Sequence, residues 1–250
     1  WWWWLSGIKS HIQALDVLHR CMDYVQQQIK LDISQKWFSD EYDVQQWIMN
    51  ILSENWMETN HPCIVAVNPN NANPHYFPTQ DRTSHIRVWN LVMVDIWCRQ
   101  KNTDSIYADI TWMFFVGSTL PDEVQTAWNS LKKARDLWLE FIKYNISTNI
   151  VRWCDVDKVV RDVLIDDWFW EYFTHRTGHS IQHEDHAEWV NIDSYEILDD
   201  RELIDDWGFS IEPWIYIPQK FWMRTEFDVY IEGNEPRVFW PIQSDIILIN

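Results

Sequence analysis

Two pairs of acidic residues recur along the chain with the same spacing. Asp95 and Asp109 are 14 residues apart, Glu212 and Glu226 are also 14 apart, and the shift between the pairs is 117. Each acid stands in an apolar run, such as 92–96, where a strand is expected. Because buried carboxylates that converge are costly without a counterion, these four acids predict a site for divalent metal. The alternative is that they are solvent-facing acids of a very acidic protein.

Histidines could supply nitrogen ligands to the same site. His175 and His179 lie four residues apart, His183 and His186 follow, and His75 lies in an earlier polar loop. Imidazole combined with carboxylates suits Mn, Fe, Co or Zn. A surface cluster of histidines in an acidic loop, with no metal, is the alternative.

Composition and absent motifs exclude several classes of protein. The 250 residues carry a net charge of −18, which argues against nucleic acid or an anionic membrane as a partner. The sequence lacks four common motifs: HExxH, GxSxG, GxxxxGK[ST] and GxGxxG. It therefore gives no support for a zinc protease of the HExxH type, a hydrolase with a nucleophile elbow, a P-loop protein or a dinucleotide-binding protein. No run approaches the roughly 18 apolar residues of a membrane span. The four cysteines share no CxxC spacing and predict reduced core thiols in a cytoplasmic protein.

The elements that must position these residues alternate helices with strands. Apolar spacing and capping residues predict four helices, over about 8–30, 40–53, 121–143 and 155–167, with Pro121 at the first helical position of the third. Strands are expected over 91–96, 106–116, 207–217, 221–231 and 237–240. The order of helix, helix and strands occurs twice, and 42–48 resembles 154–160. An α+β body of two halves around a shared sheet fits this order.

Five segments, in order, resemble the pita-bread metallopeptidases, a family that includes methionine aminopeptidase, Xaa-Pro dipeptidase and aminopeptidase P. The segments are Pro74-His75-Tyr76, Tyr107–Thr111, Phe173–Ile181, Phe209–Pro218 and Arg224-x-Glu226. The His-Arg-Thr-Gly-His string and the Pro-His-Tyr loop place the chain nearest the Xaa-Pro branch. The resemblance implies two pseudo-symmetric α+β halves with an antiparallel sheet and flanking helices. It also implies an N-terminal extension over 1–7 and a catalytic domain over 8–250.

The resemblance implies a site with two divalent metal ions, Mn first, with Co, Zn or Fe as alternatives. Its ligands would be Asp95, Asp109, His179, Glu212 and Glu226. A hydroxide that bridges the two ions would attack the scissile carbonyl. Glu212 would also carry the proton as general base and acid.

The resemblance also implies roles for residues around the ligands. His186 would steady the tetrahedral intermediate, His75 and His175 would act in catalysis and in the substrate pocket, and Arg224 would bind substrate and orient Glu226. The implied activity is release of an N-terminal residue, chiefly from Xaa-Pro peptides. A homodimer is one assembly compatible with the resemblance.

The chain departs from the family at three positions where glycine is usual, which here hold Gln182, Trp214 and Trp222. Where that glycine served a left-handed turn, tryptophan would cost on the order of 1 kcal/mol, and elsewhere an indole would fill the substrate channel. Two other functions therefore stay open. One is a non-peptidase enzyme on the same fold, such as a creatinase-like hydrolase or a lyase. The other is an engineered variant, impaired in catalysis, that serves as a binding or structural domain.

Overall fold

The computed structural model describes residues 5–68, 70, 76–102, 104–187, 189–218 and 220–250, which form two α+β halves. In the N-terminal half, α1 spans Leu5–Lys36 and α2 spans Glu41–Glu54. The apolar positions of α1 recur every three or four residues, so one face is buried. At the start of α2 the side chain of Asp40 accepts a hydrogen bond from the backbone N–H of Tyr42, as an N-cap does.

A five-stranded sheet lies against these two helices. Its strands are β2 (Met57–Glu58), β3 (Ile64–Val67), β5 (Leu91–Gln100), β6 (Ala108–Val116) and β14 (Ile247–Ile249). The order is β14-β6-β5-β2, and β3 also pairs with β5. β14 runs parallel to β6, whereas the other pairs are antiparallel. A separate two-stranded ladder joins β1 (Ser39–Asp40) to β4 (His85–Ile86).

The C-terminal half repeats the pattern of two helices followed by strands. Its helices are α3 (Asp122–Asn145) and α4 (Trp153–Asp166), with a short 3-10 helix over Trp170–Tyr172. Its strands are β7 (Gly178–His179), β8 (Asn191–Ile192), β9 (Gly208–Ile211), β10 (Trp214–Ile217), β11 (Phe221–Arg224), β12 (Phe227–Glu232) and β13 (Glu235–Arg237). Antiparallel ladders link β13-β12-β9, β10-β11 and β7-β8.

The two halves meet beside two short interruptions in the strands of the C-terminal half. Glu212 falls between β9 and β10, and Glu226 falls between β11 and β12. An isolated bridge connects Thr111 of β6, in the N-terminal half, with Glu226, and a second bridge connects Ser180 with Phe209 of β9 within the C-terminal half. As a result, strands from both halves lie side by side across the middle of the molecule.

The predicted helices are confirmed, with different ends. α1 begins at Leu5 rather than at residue 8, and Trp1 to Trp4 of the predicted extension lie outside the described residues. The placement of Pro121 inside the third helix is wrong. Pro121 has a ψ of 143° and precedes the first helical residue, Asp122. The sequence reading also missed β14, because three apolar residues carry no period of their own.

Left-handed backbone occurs at tryptophans, but not at those expected from the resemblance. Among the described residues, Gln182, Trp214 and Trp222 have no positive φ, so no left-handed strain arises there. Exposed tryptophans elsewhere adopt φ values of 59–72°: Trp37, Trp56, Trp89 and Trp168.

No helix among the described residues combines the length and the apolar character needed to cross a bilayer. All four cysteines are free thiols, and three of them, Cys21, Cys63 and Cys98, are buried.

Candidate metal centre

The five proposed ligands converge on one cavity of about 730 Å³. Asp95 and Asp109 come from the paired strands β5 and β6 of the N-terminal half. The register places Asp95 opposite Thr111, so Asp109, two residues earlier, is its diagonal neighbour on the same face. The equal spacing of the acids in the sequence therefore corresponds to one shared surface.

The second acid pair has a different arrangement. The ladders on both sides of the interruptions share one register, with Ile211 opposite Phe227 and Trp214 opposite Arg224. This register places Glu212 directly opposite Glu226. The backbone N–H of Glu226 donates to the carbonyl of Thr111 over 3.3 Å, which brings this pair against β6.

His179 is positioned by a close approach of two backbones. At the preceding residue, Gly178, an added Cβ would lie 2.1 Å from the backbone oxygen of Ser210. Only glycine therefore lets β7 lie this close to β9. The backbone N–H of Glu212 also donates to the carbonyl of Thr177 over 2.8 Å. These contacts hold Nε2 of His179 3.3 Å from Oε1 of Glu212.

Three of the five residues can share one cation. One ligand atom from each of Asp109, His179 and Glu226 lies within 4.8 Å of the other two. Nε2 of His179 and Oδ1 of Asp109 are buried and have no hydrogen-bond partner within the part of the chain that the structure describes. Because buried polar atoms normally have partners, two such atoms aimed at one cluster fit a divalent cation.

Arg224 lies among the acids. Its guanidinium contacts Asp95, lies 3.0 Å from Glu212 and 3.4 Å from Glu226, and donates to Oγ1 of Thr111 over 2.9 Å. Thr111 in turn donates to Oε2 of Glu226 over 2.5 Å. One cationic side chain therefore contacts three carboxylates and offsets only part of their charge.

The charged neighbours of the buried acids separate them into two groups by the direction of the pKa shift. Burial raises the pKa of Asp109 well above its usual value, and Glu226 adds to the shift, while the pKa of Glu226 is raised mainly by burial against the opposing effect of Arg224. Burial would raise the pKa of Glu212, but the pKa is lowered because four neighbouring groups together outweigh burial: His179, Arg224, Arg176 and His186. Glu212 is thus the carboxylate kept ionised, whereas its neighbours favour the protonated form without a cation. Such a difference between adjacent acids is typical of catalytic sites.

Two of the three histidines proposed to flank the ligands, His175 and His186, line the cavity. The ring of His186 lies 4.1 Å from that of His179, and its side chain is 64% exposed at the cavity. His175 lines the same cavity, edge-on to Trp214 and 3.6 Å from Glu196. His75 lies outside the described residues.

The two indoles at positions where the resembled family usually has glycine form part of the cavity wall. Trp214 and Trp222 are buried, and their ring centroids are 4.6 Å apart. Both line the cavity, which remains about 730 Å³ in volume with them in place. The indoles therefore narrow the site without filling it.

The sequence reading missed several buried polar residues behind the ligands. Asp228 accepts a hydrogen bond from the backbone N–H of Asp109 over 2.8 Å, and His11 lies 3.7 Å from Asp228. Burial raises the pKa of Asp228 and lowers that of His11 to about 4. Asp185 is a further buried acid at the cavity. The unusual run of acids next to His183 was the one signal that could have identified Asp185.

Comparisons with known proteins identify the fold and the family of similar proteins. The profile of metallopeptidase family M24 matches residues 9–233. The structure of X-Pro aminopeptidase from Thermotoga maritima superposes with a TM-score of 0.83 at 23% identity, over 97% of this chain and 63% of that chain. Dipeptidase PepE from Mycobacterium ulcerans gives 0.83 at 24% identity, over 98% and 61%. These likenesses confirm the predicted pita-bread fold.

Curated relatives are also peptidases by name. A Mycoplasma genitalium protein provisionally named as a Xaa-Pro aminopeptidase is 29% identical over 234 residues, which is 91% of this chain and 60% of that protein. The "Probable dipeptidase PepE" of Mycobacterium tuberculosis is 31% identical over 176 residues, which is 70% of this chain and 42% of that protein. The chain thus spans 42% to 60% of the length of these two relatives.

Proposed function

The chain belongs to metallopeptidase family M24, and on this premise we propose that it is a metal-dependent peptidase that releases the N-terminal residue of peptides, chiefly Xaa-Pro peptides. The observation that carries the proposal is the convergence, in one cavity, of an imidazole and four carboxylates: Asp95, Asp109, His179, Glu212 and Glu226. The names of the similar proteins support the Xaa-Pro substrate.

The oxygen and nitrogen donors suit divalent metal ions. We propose that the site holds two ions, with Mn as the preferred metal and Co, Zn or Fe as alternatives. Bound there, such ions would acidify a water molecule and polarise the scissile carbonyl. Asp95, Asp109, His179, Glu212 and Glu226, which all line the cavity, would hold these ions. The cavity is large enough for a short peptide beside them.

Residues of the chain would carry out proton transfer, stabilise the intermediate and orient the substrate. The lowered pKa of Glu212 keeps its carboxylate ionised, so that it can accept a proton from the attacking water and pass it to the leaving amine. His186, exposed above His179, can donate to the oxygen of the tetrahedral intermediate. His175 and Arg224 would orient substrate and ligands, and His75 keeps its proposed role in the substrate pocket. We propose that this activity is cytoplasmic and that a homodimer is the assembly to test.

The test combines metal content with turnover. The purified protein is saturated with Mn²⁺, Co²⁺ or Zn²⁺, desalted and measured by elemental analysis, and then assayed on a panel of Xaa-Pro and Xaa-Ala dipeptides. We expect stoichiometric metal and faster cleavage of the Xaa-Pro members. Asp109→Asn should lower activity at least 100-fold, whereas Glu140→Gln, a change at an exposed acid of α3, should leave it unchanged. Absence of bound metal under saturating conditions would contradict the proposal.

A further inference from the structure

Asp185 is a buried acid that no motif of the sequence assigns to the site. It follows β7 in the segment that leads to β8, its exposure is 5%, and it lines the same cavity as the proposed ligands. Its neighbour Glu184 also borders the cavity but is exposed. The chain thus directs one of two consecutive acids into the interior.

The carboxylate of Asp185 lacks a compensating positive charge. Its Oδ1 is buried and has no hydrogen-bond partner among the residues that the structure describes. Its side chain meets that of Asp109, another acid. Oδ2 is 3.7 Å from Nε2 of His186, too far for a hydrogen bond. The nearby guanidinium of Arg224 is already engaged by Asp95, Glu212 and Glu226.

Asp109 has the same deficiency. Oδ1 of Asp109 is also buried and has no hydrogen-bond partner within the described ranges. Two hydrogen-bonded carboxyl groups that each keep a free buried oxygen are costly when both are ionised, because no proton then lies between them and neither offsets the charge of the other. A divalent cation at Asp109 would compensate both, since its charge exceeds that of any neighbouring side chain.

We propose that Asp185 is a further carboxylate of the metal centre, which acts through its contact with Asp109 to strengthen the binding of a divalent cation. The inference rests on the proposed function, because the cation is the one placed at Asp109, His179 and Glu226. Asp185 adds a negative charge to the five residues implied by the resemblance. It thereby raises the affinity of this particular chain for metal.

The experiment is a calorimetric titration of the metal-free protein with MnCl2 at pH 8. The protein is compared with Asp185→Asn, Asp185→Glu, Asp109→Asn and the matched control Glu184→Gln. We expect Asp185→Asn to weaken binding of Mn²⁺ about 10- to 100-fold, as loss of a group in contact with a ligand does. Asp185→Glu should restore most of the affinity, and Glu184→Gln should stay within about threefold of the parent.

The outcomes separate the two proposals. Unchanged affinity in a folded Asp185→Asn protein, together with loss of binding in Asp109→Asn, would overturn this inference and leave the proposed function standing. Failure of the parent protein to bind Mn²⁺ would overturn both. If Asp185→Asn does not fold, as judged by circular dichroism, Asp185→Val takes its place, because valine removes the charge without adding a buried amide. The Mn²⁺ affinity of Asp185→Val is then compared with those of the parent and of Asp109→Asn in the same way.

Discussion

Nη1 of Arg224 lies 3.0 Å from Oε2 of Glu212, so the guanidinium faces the carboxylate that is also nearest to His179. The same guanidinium contacts Asp95 and Glu226. The side chain of Arg224 is only 13% exposed, so little water screens these contacts. Arg224 and a bound metal ion would therefore stabilise the same acids by the same electrostatic means.

Removal of Arg224 should destabilise the metal-free protein strongly. In Arg224→Met the three acids lose their shared cation, and we expect a loss of about 3–5 kcal/mol in the free energy of unfolding. Added Mn²⁺ should recover part of this loss, because binding to the native state stabilises it. Urea unfolding with EDTA or MnCl2 measures both effects.

The matched control is Arg237→Met, which removes two exposed ion pairs: the side chain of Arg237 is 49% exposed, and its partners Glu232 and Glu235 are 58% and 66% exposed. This change should cost less than about 1 kcal/mol and should show no recovery with Mn²⁺. Equal losses for the two arginine variants would contradict the assigned electrostatic role of Arg224.

Alanine at Gly178 should disturb the site through the backbone. The new Cβ would meet the backbone oxygen of Ser210 at 2.1 Å, so β7 must move away from β9. We expect a loss of stability of about 1–3 kcal/mol, together with weaker metal binding, because His179 moves with β7. Gly233→Ala is the control, since Gly233 has a φ of 61° but nothing within 4 Å of an added Cβ. It should lower stability by about 1 kcal/mol without altering metal affinity, and a parallel effect on metal would argue against the contact.

Asp185 should make the metal-free protein less stable as the pH rises. Burial raises the pKa of Asp185 to about 7 from an ordinary value of 3.8. Since the folded form holds its proton more tightly than the unfolded form, this contribution is fully present below pH 3.8 and is lost as the pH rises through 7. In EDTA, Asp185→Asn should therefore gain a few kcal/mol relative to the parent between pH 4 and pH 8.

Urea unfolding at several pH values measures this difference. Asp245→Asn changes an acid whose side chain is 71% exposed and should run parallel to the parent at every pH. A parallel curve for Asp185→Asn would show that Asp185 is not titrating in the folded protein. The same substitution is expected to weaken metal binding, so stability without metal and affinity for metal should change in opposite directions.

Glycine at exposed left-handed tryptophans should stabilise the chain. Trp37 and Trp168 have φ values of 69° and 66° and are 82% and 85% exposed, so their indoles contribute little packing. Replacement by glycine removes the clash of Cβ with the following carbonyl, and we expect a gain of about 1 kcal/mol at each position. Trp170→Gly, at an exposed tryptophan of the 3-10 helix whose φ is not positive, should give no gain. Melting temperatures of the three variants check this expectation.

The sequence by itself was enough to predict the fold and to propose a set of candidate metal ligands. The helices follow from apolar spacing along continuous segments, as in α1, and their caps are local, as at Asp40. The motifs around Asp109, His179 and Glu226 are also short strings that can be read in order. Such features depend on residues close together in the chain, so no knowledge of packing is needed to find them.

Tertiary structure alone decided how those residues meet. It placed Arg224 among three acids, turned Asp185 rather than Glu184 inward, and made Gly178 necessary through the carbonyl of Ser210. Each of these facts depends on contacts between segments far apart in sequence. The burial that moves each pKa exists only once the two halves pack together. Composition and spacing cannot supply it, because the desolvation of a charge depends on everything that surrounds it in space.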